Sequence, residues 1–251
     1  PVAHSFPTRR SSDLPPPPAP QPELAPIVFV HGQSGSAQQF ETQAMRFIDN
    51  CFPPELLFAF EYDTGVEDNP IADLDEFLDE VLEETGESAV YAIGHSRGTS
   101  VWTAYLDDPT YDGSERVAKY VNIDGRSPQE LPGGVPTIGI WGEWNTADSG
   151  FNRRENNDDA QIGPDPDANY HFGAKAHTEV LTSAEAFEVM YEFLAEIPAQ
   201  TLDVVEVSSG DVQIAGRAVL FPENRGYDGA PLEVWEIDED TGQRIGDEPV
   251  E

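Results

Sequence analysis

The chain has 251 residues, which allows one large domain or one domain with a small second one, and either arrangement buries a sizeable core. It carries 48 Asp and Glu residues against 13 Lys and Arg residues, so its formal net charge is −35. Such a surface repels nucleic acids and anionic membranes, whose binding requires basic patches, so we expect neither as a partner. High-salt adaptation and an ordinary acidic secreted protein both explain this charge, and composition does not separate them.

Cysteine content, hydropathy and the first residues further restrict the class of protein to which the chain can belong. Cys51 is the only cysteine, so no intrachain disulfide and no thiolate metal cluster can form. No apolar run in the sequence reaches the length of a membrane span. Residues 1–14 include HSFPTRRSSDL, which resembles a translated sequencing adapter, and we interpret them as a non-native tail. Residues 15–25 form a proline-rich linker of the kind found behind a signal or lipid anchor, which favours secretion.

Residues 26–198 alternate short β-rich runs with helical patterns, which predicts an α/β fold with a mostly parallel sheet and helices on both faces. The predicted strands are Ile27–Val30, Leu56–Tyr62, Ala89–Gly94, Val117–Ile123 and Thr137–Trp141. The predicted helices are Ser36–Asp49, a helix that begins at Asn69-Pro70, and a last helix from the capping-box pattern Thr182-Ser183-Ala184-Glu185 to Pro198.

After Pro198 the pattern changes to β-rich runs separated by turn signals. These runs are Leu202–Val207, Val212–Phe221 and Leu232–Ile237. They predict the start of an all-β domain over residues 199–251, which we interpret as truncated. Three or so strands would be marginal unless they pack on the first domain.

The pattern Gly94-His95-Ser96-Arg97-Gly98 follows a predicted strand and precedes a helical run. This is the context of the nucleophile elbow of α/β-hydrolases, in which a serine occupies strained backbone at a sharp turn and flanking glycines relieve the crowding. G-x-S-x-G alone also describes an ordinary glycine turn, so the inference depends on the strand and helix around it. Ser96 is the predicted nucleophile.

Two backbone amides are the predicted oxyanion hole. The tripeptide His31-Gly32-Gln33 follows the first strand, where this class of enzyme builds part of the hole. The amides of Gln33 and Arg97 would donate to the charge that develops on the carbonyl oxygen. We interpret His31 as a residue that shapes this loop, and His95 as unsuited to be the base because at the elbow it points away from the serine.

The base and the acid each have an alternative. The chain order in this fold is serine, acid, histidine, which leaves His171 and His177, and we prefer His177 because it lies just before the capped last helix. Asp124 ends a predicted strand and would emerge at the catalytic edge of the sheet. Many relatives place the acid after the next strand, but there this chain has Asn145, and an amide cannot stabilise an imidazolium. The nearby Asp148 is therefore the alternative acid.

Seven segments together resemble archaeal-type long-chain lipases and esterases with a C-terminal β domain. They are PIVFVHGQSGSAQQFE, FEYDT, GHSRGT, NIDG, HTEVLTSAEAFEVMYEFL, VSSGDVQIAGRAVLF and WEIDEDTGQRI. The resemblance extends from Pro26 to near Gly246, far beyond the elbow alone. It implies an α/β-hydrolase fold and a C-terminal segment that belongs to a lipid-binding or substrate-recruiting module.

The resemblance also implies roles for individual residues. The nucleophile and base of the family map onto Ser96 and His177, and the oxyanion hole maps onto Gln33 and Arg97. The acid of that family follows the sixth strand of its sheet, which maps onto Asp124 and favours it over the alternative.

One departure from the family concerns access to the site. Those lipases carry a long lid after the strand that ends in FEYDT, whereas only Gly65–Asn69 separates that strand from the next helix here. An open site without a lid favours soluble esters or bulky polymer surfaces. Trp102, Trp141 and Trp144 could then line an exposed acyl or aromatic groove, although tryptophan more often packs in a core.

The sequence thus predicts a serine carboxylic-ester hydrolase that acts through an acyl-enzyme on lipid, small-ester or polyester substrates. We expect a monomer with no metal and no organic cofactor. Two alternatives stay open. One is a non-catalytic lipid- or surface-binding protein on the hydrolase scaffold, and the other is a peptidase or amidase, which shares the triad but must protonate a poorer leaving group.

Overall fold

A six-stranded parallel sheet organises the computed structural model, which describes residues 24–144, 159–205, 218–221, 223–238 and 240–250. The strand order is β2-β1-β3-β4-β5-β6. The strands of this sheet are β1 (Ile27–Val30), β2 (Leu57–Phe60), β3 (Val90–His95), β4 (Val117–Ile123), β5 (Thr137–Trp144) and β6 (Asn169–Ala176). The α-helices are α1 (Glu41–Asp49), α2 (Ile71–Thr85), α3 (Arg97–Asp107), α4 (Gly113–Arg116), α5 (His177–Thr182) and α6 (Ala184–Ala195).

Apolar side chains cover both faces of the sheet. One core cluster joins α1 and α6 to the sheet through Phe47 and Phe187, and the other joins α2 and α3 through Phe77 and Trp102. Strands that are buried on both faces read as continuous apolar runs, which is why β1 is spelled IVFV. This architecture confirms the predicted α/β-hydrolase fold. No helix in the described ranges is long and apolar enough to cross a membrane.

The edge strand β6 is absent from the strands that the sequence predicts. β6 pairs with β5 alone, and most of its residues are exposed or half-buried. Its sequence, NYHFGAKA, therefore lacks both the continuous apolar run of a central strand and a regular alternation. The predicted last helix begins where its capping pattern indicates, since α6 starts at Ala184 and Ser183 caps it by accepting a hydrogen bond from Ala186 N at 3.2 Å. The short helix α5, which ends at Thr182, precedes it and was not predicted.

The region after Pro198 contains less regular β structure than predicted. The described part of Leu202–Val207 joins no sheet, because the side chains of Arg46 and Asp49 on α1 hydrogen-bond its backbone groups instead. Within Val212–Phe221 the described strand is β7 (Val219–Leu220), which pairs antiparallel with β8 (Arg225–Gly226). In Leu232–Ile237 the pairing is a single bridge from Ile237 to Arg244.

Candidate active site

The elbow lies at the junction of β3 and α3. Ser96 has φ of 52° and ψ of −118°, a conformation that residues with a side chain rarely adopt, and it is partly exposed. The glycines on either side are required by close approach. A Cβ on Gly98 would lie 2.1 Å from Val30 O, and a Cβ on Gly94 would lie 2.9 Å from Cδ1 of Trp102. The G-x-S-x-G spacing therefore lets α3 pack directly against β1 and β3 while the serine stays at the turn.

The structure brings Asp124 and His177 together. Asp124 follows the last residue of β4, and His177 is the first residue of α5; Oδ2 of the aspartate lies 2.5 Å from Nδ1 of the histidine. The Asp124 side chain is fully buried, and its Oδ1 accepts a hydrogen bond from Gly142 N at 3.1 Å. Because the carboxylate holds the Nδ1 proton, Nε2 of the imidazole is left to accept a proton from a nucleophile.

His95 links the elbow to the candidate base. Its Nε2–H donates to His177 O at 3.0 Å, and the two rings lie 4.6 Å apart between centroids. Burial, with a smaller effect from the neighbouring His177, lowers the pKa of His95 to about 3. His95 is therefore neutral at ordinary pH and positions His177 through its backbone. The hydroxyl of Ser96 makes no hydrogen bond within the described residues. The hydrogen bond between a nucleophile and its base commonly tightens only when substrate is bound.

The turn after β1 lies against the nucleophile. Gly35 N donates to Gly32 O at 3.1 Å to close the turn, and Ser34 within it has φ of 57°. A Cβ on Gly32 would lie only 2.9 Å from Cβ of Ser96, so only glycine permits this approach. Across the described part of the chain, the backbone N–H groups of Gln33 and Arg97 have no acceptor, which leaves both available to a substrate oxygen.

The side chains of the two predicted oxyanion residues hold the segment between β2 and α2. The Arg97 guanidinium donates to Gln33 Oε1 at 2.7 Å and to Thr64 O at 2.9 Å, and it also reaches the carbonyls of residues 66–68. It lies 5.5 Å from the centroid of the Tyr62 ring. Gln33 Nε2 donates to the same Thr64 carbonyl at 2.7 Å. The short segment between β2 and α2 is thereby tied to the elbow.

A buried polar network lies beneath the turn of residues 32–35, called here the oxyanion turn. It joins His31, which the sequence predicts to shape this loop, to Glu61 and Tyr62, for which the sequence predicts no role. His31 is fully buried, its Nε2 lies 3.1 Å from Oε2 of Glu61, and its ring stacks on Tyr62 at 4.4 Å. The Tyr62 hydroxyl donates to His31 O at 2.8 Å, and burial raises the pKa of this phenol. The sequence did contain a signal for this network, because in FEYDT the charged residue Glu61 directly follows a fully buried strand. His31 thus fixes the end of β1, from which the turn starts.

The alternative base is not brought into this cluster. His171 lies on β6, is exposed, and its Nε2 lies 2.9 Å from Ala160 O. Asp148 and Asn145 lie outside the described residues.

The predicted tryptophan groove is wrong for two of its three residues. Trp102 is fully buried under the elbow and donates to Ile93 O at 3.3 Å, and Trp141 is 1% exposed and donates to Oδ1 of Asn169 at 3.0 Å. Both indoles fill the core between the sheet and its helices, where a large apolar ring is stabilised by burial and its N–H is satisfied. The Trp144 side chain lies outside the described part of the structure. Within that part, no group of three or more His, Cys, Asp or Glu side chains could hold a metal ion.

Two family descriptions match the chain, "Lipase (class 2)" over residues 24–117 and "Lipase C-terminal domain" over residues 210–251. Among solved structures, the chain is similar to the mature lipase BlEst2 of Bacillus licheniformis, with 16% identity, 72% of this chain and 96% of that chain covered, and a TM-score of 0.51. It is also similar to Aspergillus fumigatus lipase B, with 13% identity, 71% and 54% coverage, and a TM-score of 0.52. At these identities the structural similarity establishes the fold.

Proposed function

Because the chain is an α/β-hydrolase of the lipase family, we propose that it is a serine carboxylic-ester hydrolase with Ser96 as nucleophile, His177 as base and Asp124 as acid. The observation that carries this proposal is the 2.5 Å contact between the buried carboxylate and the imidazole, at the sheet edge that also bears the elbow. A serine hydroxyl is a weak nucleophile until a base accepts its proton, and the base must itself be oriented by a third group.

The reaction follows from the positions of these groups. Oγ of Ser96 attacks the ester carbonyl while Nε2 of His177 takes its proton, and the N–H groups of Gln33 and Arg97 donate to the oxyanion. Collapse of this intermediate breaks the bond to the alcohol, which leaves with the proton from the imidazole. Water then attacks the acyl-enzyme by the same route, releases the carboxylic acid and restores the serine. Asp124 stabilises the imidazolium in both steps.

The direct test is hydrolysis of p-nitrophenyl esters by the purified protein and by Ser96→Ala. Ser100→Ala is a matched control, since Ser100 lies one turn further along α3 and its hydroxyl contacts Nε of Arg126. We expect the first variant to be inactive and the second to match the unaltered protein. Equal activity of Ser96→Ala would refute the proposal.

A fluorophosphonate separates catalysis from a purely binding role. It phosphonylates an activated serine, so the unaltered protein should be labelled at Ser96, whereas a non-catalytic scaffold would stay unlabelled. Comparison of ester with anilide substrates addresses the peptidase alternative. We expect the ester to be strongly preferred, and comparable rates on the anilide would return the assignment to an amidase.

The substrate class that we propose is soluble esters and polyester surfaces. The support is the short segment Gly65–Asn69, held by Arg97, in the place where the resemblance drawn from the sequence implies a long lid. The acidic surface would also resist accumulation of anionic fatty-acid product. The burial of two tryptophans removes the groove as a reason to favour aromatic polymers. Secretion, which would give access to such substrates, stays a prediction.

An acyl-chain-length profile run beside product release from a polyester film tests this substrate class. We expect highest activity on short and medium acyl chains together with soluble products from the film. Strong preference for long chains with no film products would indicate a lipase acting on long-chain lipids.

A further inference from the structure

Asn224 joins the C-terminal segment to the catalytic domain. It lies between β7 and β8, has φ of 52°, and is 4% exposed. It is the one buried residue in the described part of 218–250. Asparagine tolerates the left-handed backbone region better than other residues with a side chain, so the turn can direct its amide inward.

The Asn224 amide contacts three points around the oxyanion turn. Its Nδ2 donates to Gly35 O at 2.6 Å and to Tyr62 O at 3.2 Å, and it lies 3.3 Å from Nε2 of His31. Two carbonyl acceptors require the nitrogen of the amide on this side. One side chain of the C-terminal segment therefore connects the end of β1, the end of the turn and the residues that follow β2.

These contacts bracket Gln33, whose N–H is one of the two proposed oxyanion donors. Gly35, which closes the turn, accepts a hydrogen bond from this amide, and the ring of His31, which precedes the turn, lies in contact with it. The turn itself requires left-handed backbone at Ser34 and close contact with Ser96, and neither feature is the local preference of a free loop. A hydrogen bond from outside the turn can keep it in this conformation.

We propose that Asn224 is a positioning residue for ester hydrolysis, which holds the oxyanion turn so that the Gln33 amide stays directed at the reacting carbonyl. The inference rests on the proposed serine hydrolase function and adds a role for the C-terminal segment besides recruitment of substrate. An oxyanion donor acts on the transition state more than on the bound ester, so its displacement lowers kcat with little change in KM.

Two variants remove the contact in different ways. Asn224→Asp keeps the shape of the side chain but removes both donated hydrogen bonds and places a carboxylate against two carbonyls. Asn224→Gly keeps the left-handed turn and removes the side chain. Asp238→Asn is the matched control, because Asp238 lies in the same segment, is partly exposed and accepts hydrogen bonds from Thr241 within its own turn.

The experiment measures kcat and KM of the full chain on a p-nitrophenyl ester, with active sites counted by end-point fluorophosphonate labelling. Loss of an oxyanion donor costs roughly 10²–10³-fold in kcat, and a donor that is displaced rather than removed should cost less, about 10-fold. We expect this loss per active site in both Asn224 variants, with KM within about twofold and Asp238→Asn unchanged. If the aspartate variant does not fold, the glycine variant provides the measurement.

The outcomes separate this inference from the function on which it rests. If Ser96→Ala is inactive and both Asn224 variants keep full kcat per active site, the positioning role is refuted. An effect confined to KM would also refute it, because that result indicates a role in substrate recruitment. An equal loss of kcat in Asp238→Asn would refute it as well, because that result indicates general loosening of the segment. If Ser96→Ala is itself active, the serine mechanism fails first.

Discussion

Replacement of Asp124 by asparagine tests the centre of the proposed mechanism with the smallest possible change. The substitution alters one atom of a fully buried side chain and removes its negative charge. In the native protein one carboxylate oxygen contacts Nδ1 of His177 and the other accepts a hydrogen bond from Gly142 N. The asparagine cannot satisfy both partners, since it has one acceptor oxygen where the aspartate has two.

The magnitude follows from the two ways in which the amide can be placed. If its oxygen stays on Gly142 N, its NH₂ group faces Nδ1, the histidine must accept there, and the proton moves to Nε2, where it blocks the base. If the amide is reversed, its NH₂ group opposes the Gly142 N–H in a buried site, and the imidazolium still loses its counter-charge. Analogous triads lose about 10⁴-fold in kcat, or about 5 kcal/mol of transition-state stabilisation.

The assay compares kcat of Asp124→Asn and Asp148→Asn on one p-nitrophenyl ester, with the folded state of each checked by circular dichroism. Asp148 is the alternative acid and lies outside the described residues. We expect the large loss in the first variant and a small change in the second. The reverse order would show that the acid follows β5, and our interpretation of the 2.5 Å contact would be wrong.

Three further variants test the surrounding structure. Gly98→Ala places a Cβ 2.1 Å from Val30 O, so we expect a lower melting temperature or insoluble protein, and an unchanged melting curve would contradict the packing. Burial lowers the pKa of His95 to about 3 in the folded protein. Below about pH 6.5 this histidine is protonated in the unfolded chain but stays neutral in the folded protein, so the free energy of unfolding decreases by up to about 1.4 kcal/mol for each pH unit of acidification. Urea unfolding of His95→Gln should therefore show a weaker loss of stability between pH 6.5 and pH 4 than the unaltered protein, whereas equal slopes would refute this. Arg97→Ala keeps the backbone amide but removes the hydrogen bonds that hold Gly65–Asn69, so limited proteolysis in this segment should become faster. An unchanged digest would contradict the proposal that Arg97 holds this segment.

The central strands and the local motifs were the parts of the fold that the sequence could predict. β1 and β4 have the predicted bounds. β1 is a continuous apolar run because it is buried on both faces, and residues 27–30 are all fully buried. The elbow could also be predicted, because the G-x-S-x-G spacing reflects two close contacts, at Gly94 and Gly98, that only glycine permits. The placement of Asp124 at the end of β4 followed from the strand assignment.

Features that depend on distant partners could not be predicted. β6 is held by pairing with β5 and has no pattern of its own. The tryptophans were ambiguous because the same residue type serves a core and a groove, and only their neighbours show that Trp102 and Trp141 are buried. Asn224 contacts residues 162 to 193 positions earlier in the chain, and no local signal marks it.

The three proposed catalytic residues are connected by a ring of hydrogen bonds to the backbone. Ser96 N donates to the carbonyl of the last residue of β4 at 2.9 Å, and the next residue, Asp124, donates its N–H to Ile140 O on β5 at 2.8 Å. Asp124 in turn contacts Nδ1 of His177 through its Oδ2, and the ring closes where His177 O accepts from His95 Nε2 at 3.0 Å, because His95 immediately precedes the serine. The elbow is thereby tied to the strand that carries the acid, and the base is tied to the elbow. A shift at any one residue moves the other two, so the effects of substitutions on this ring should not add, and the ring rather than any single contact determines the geometry of the site.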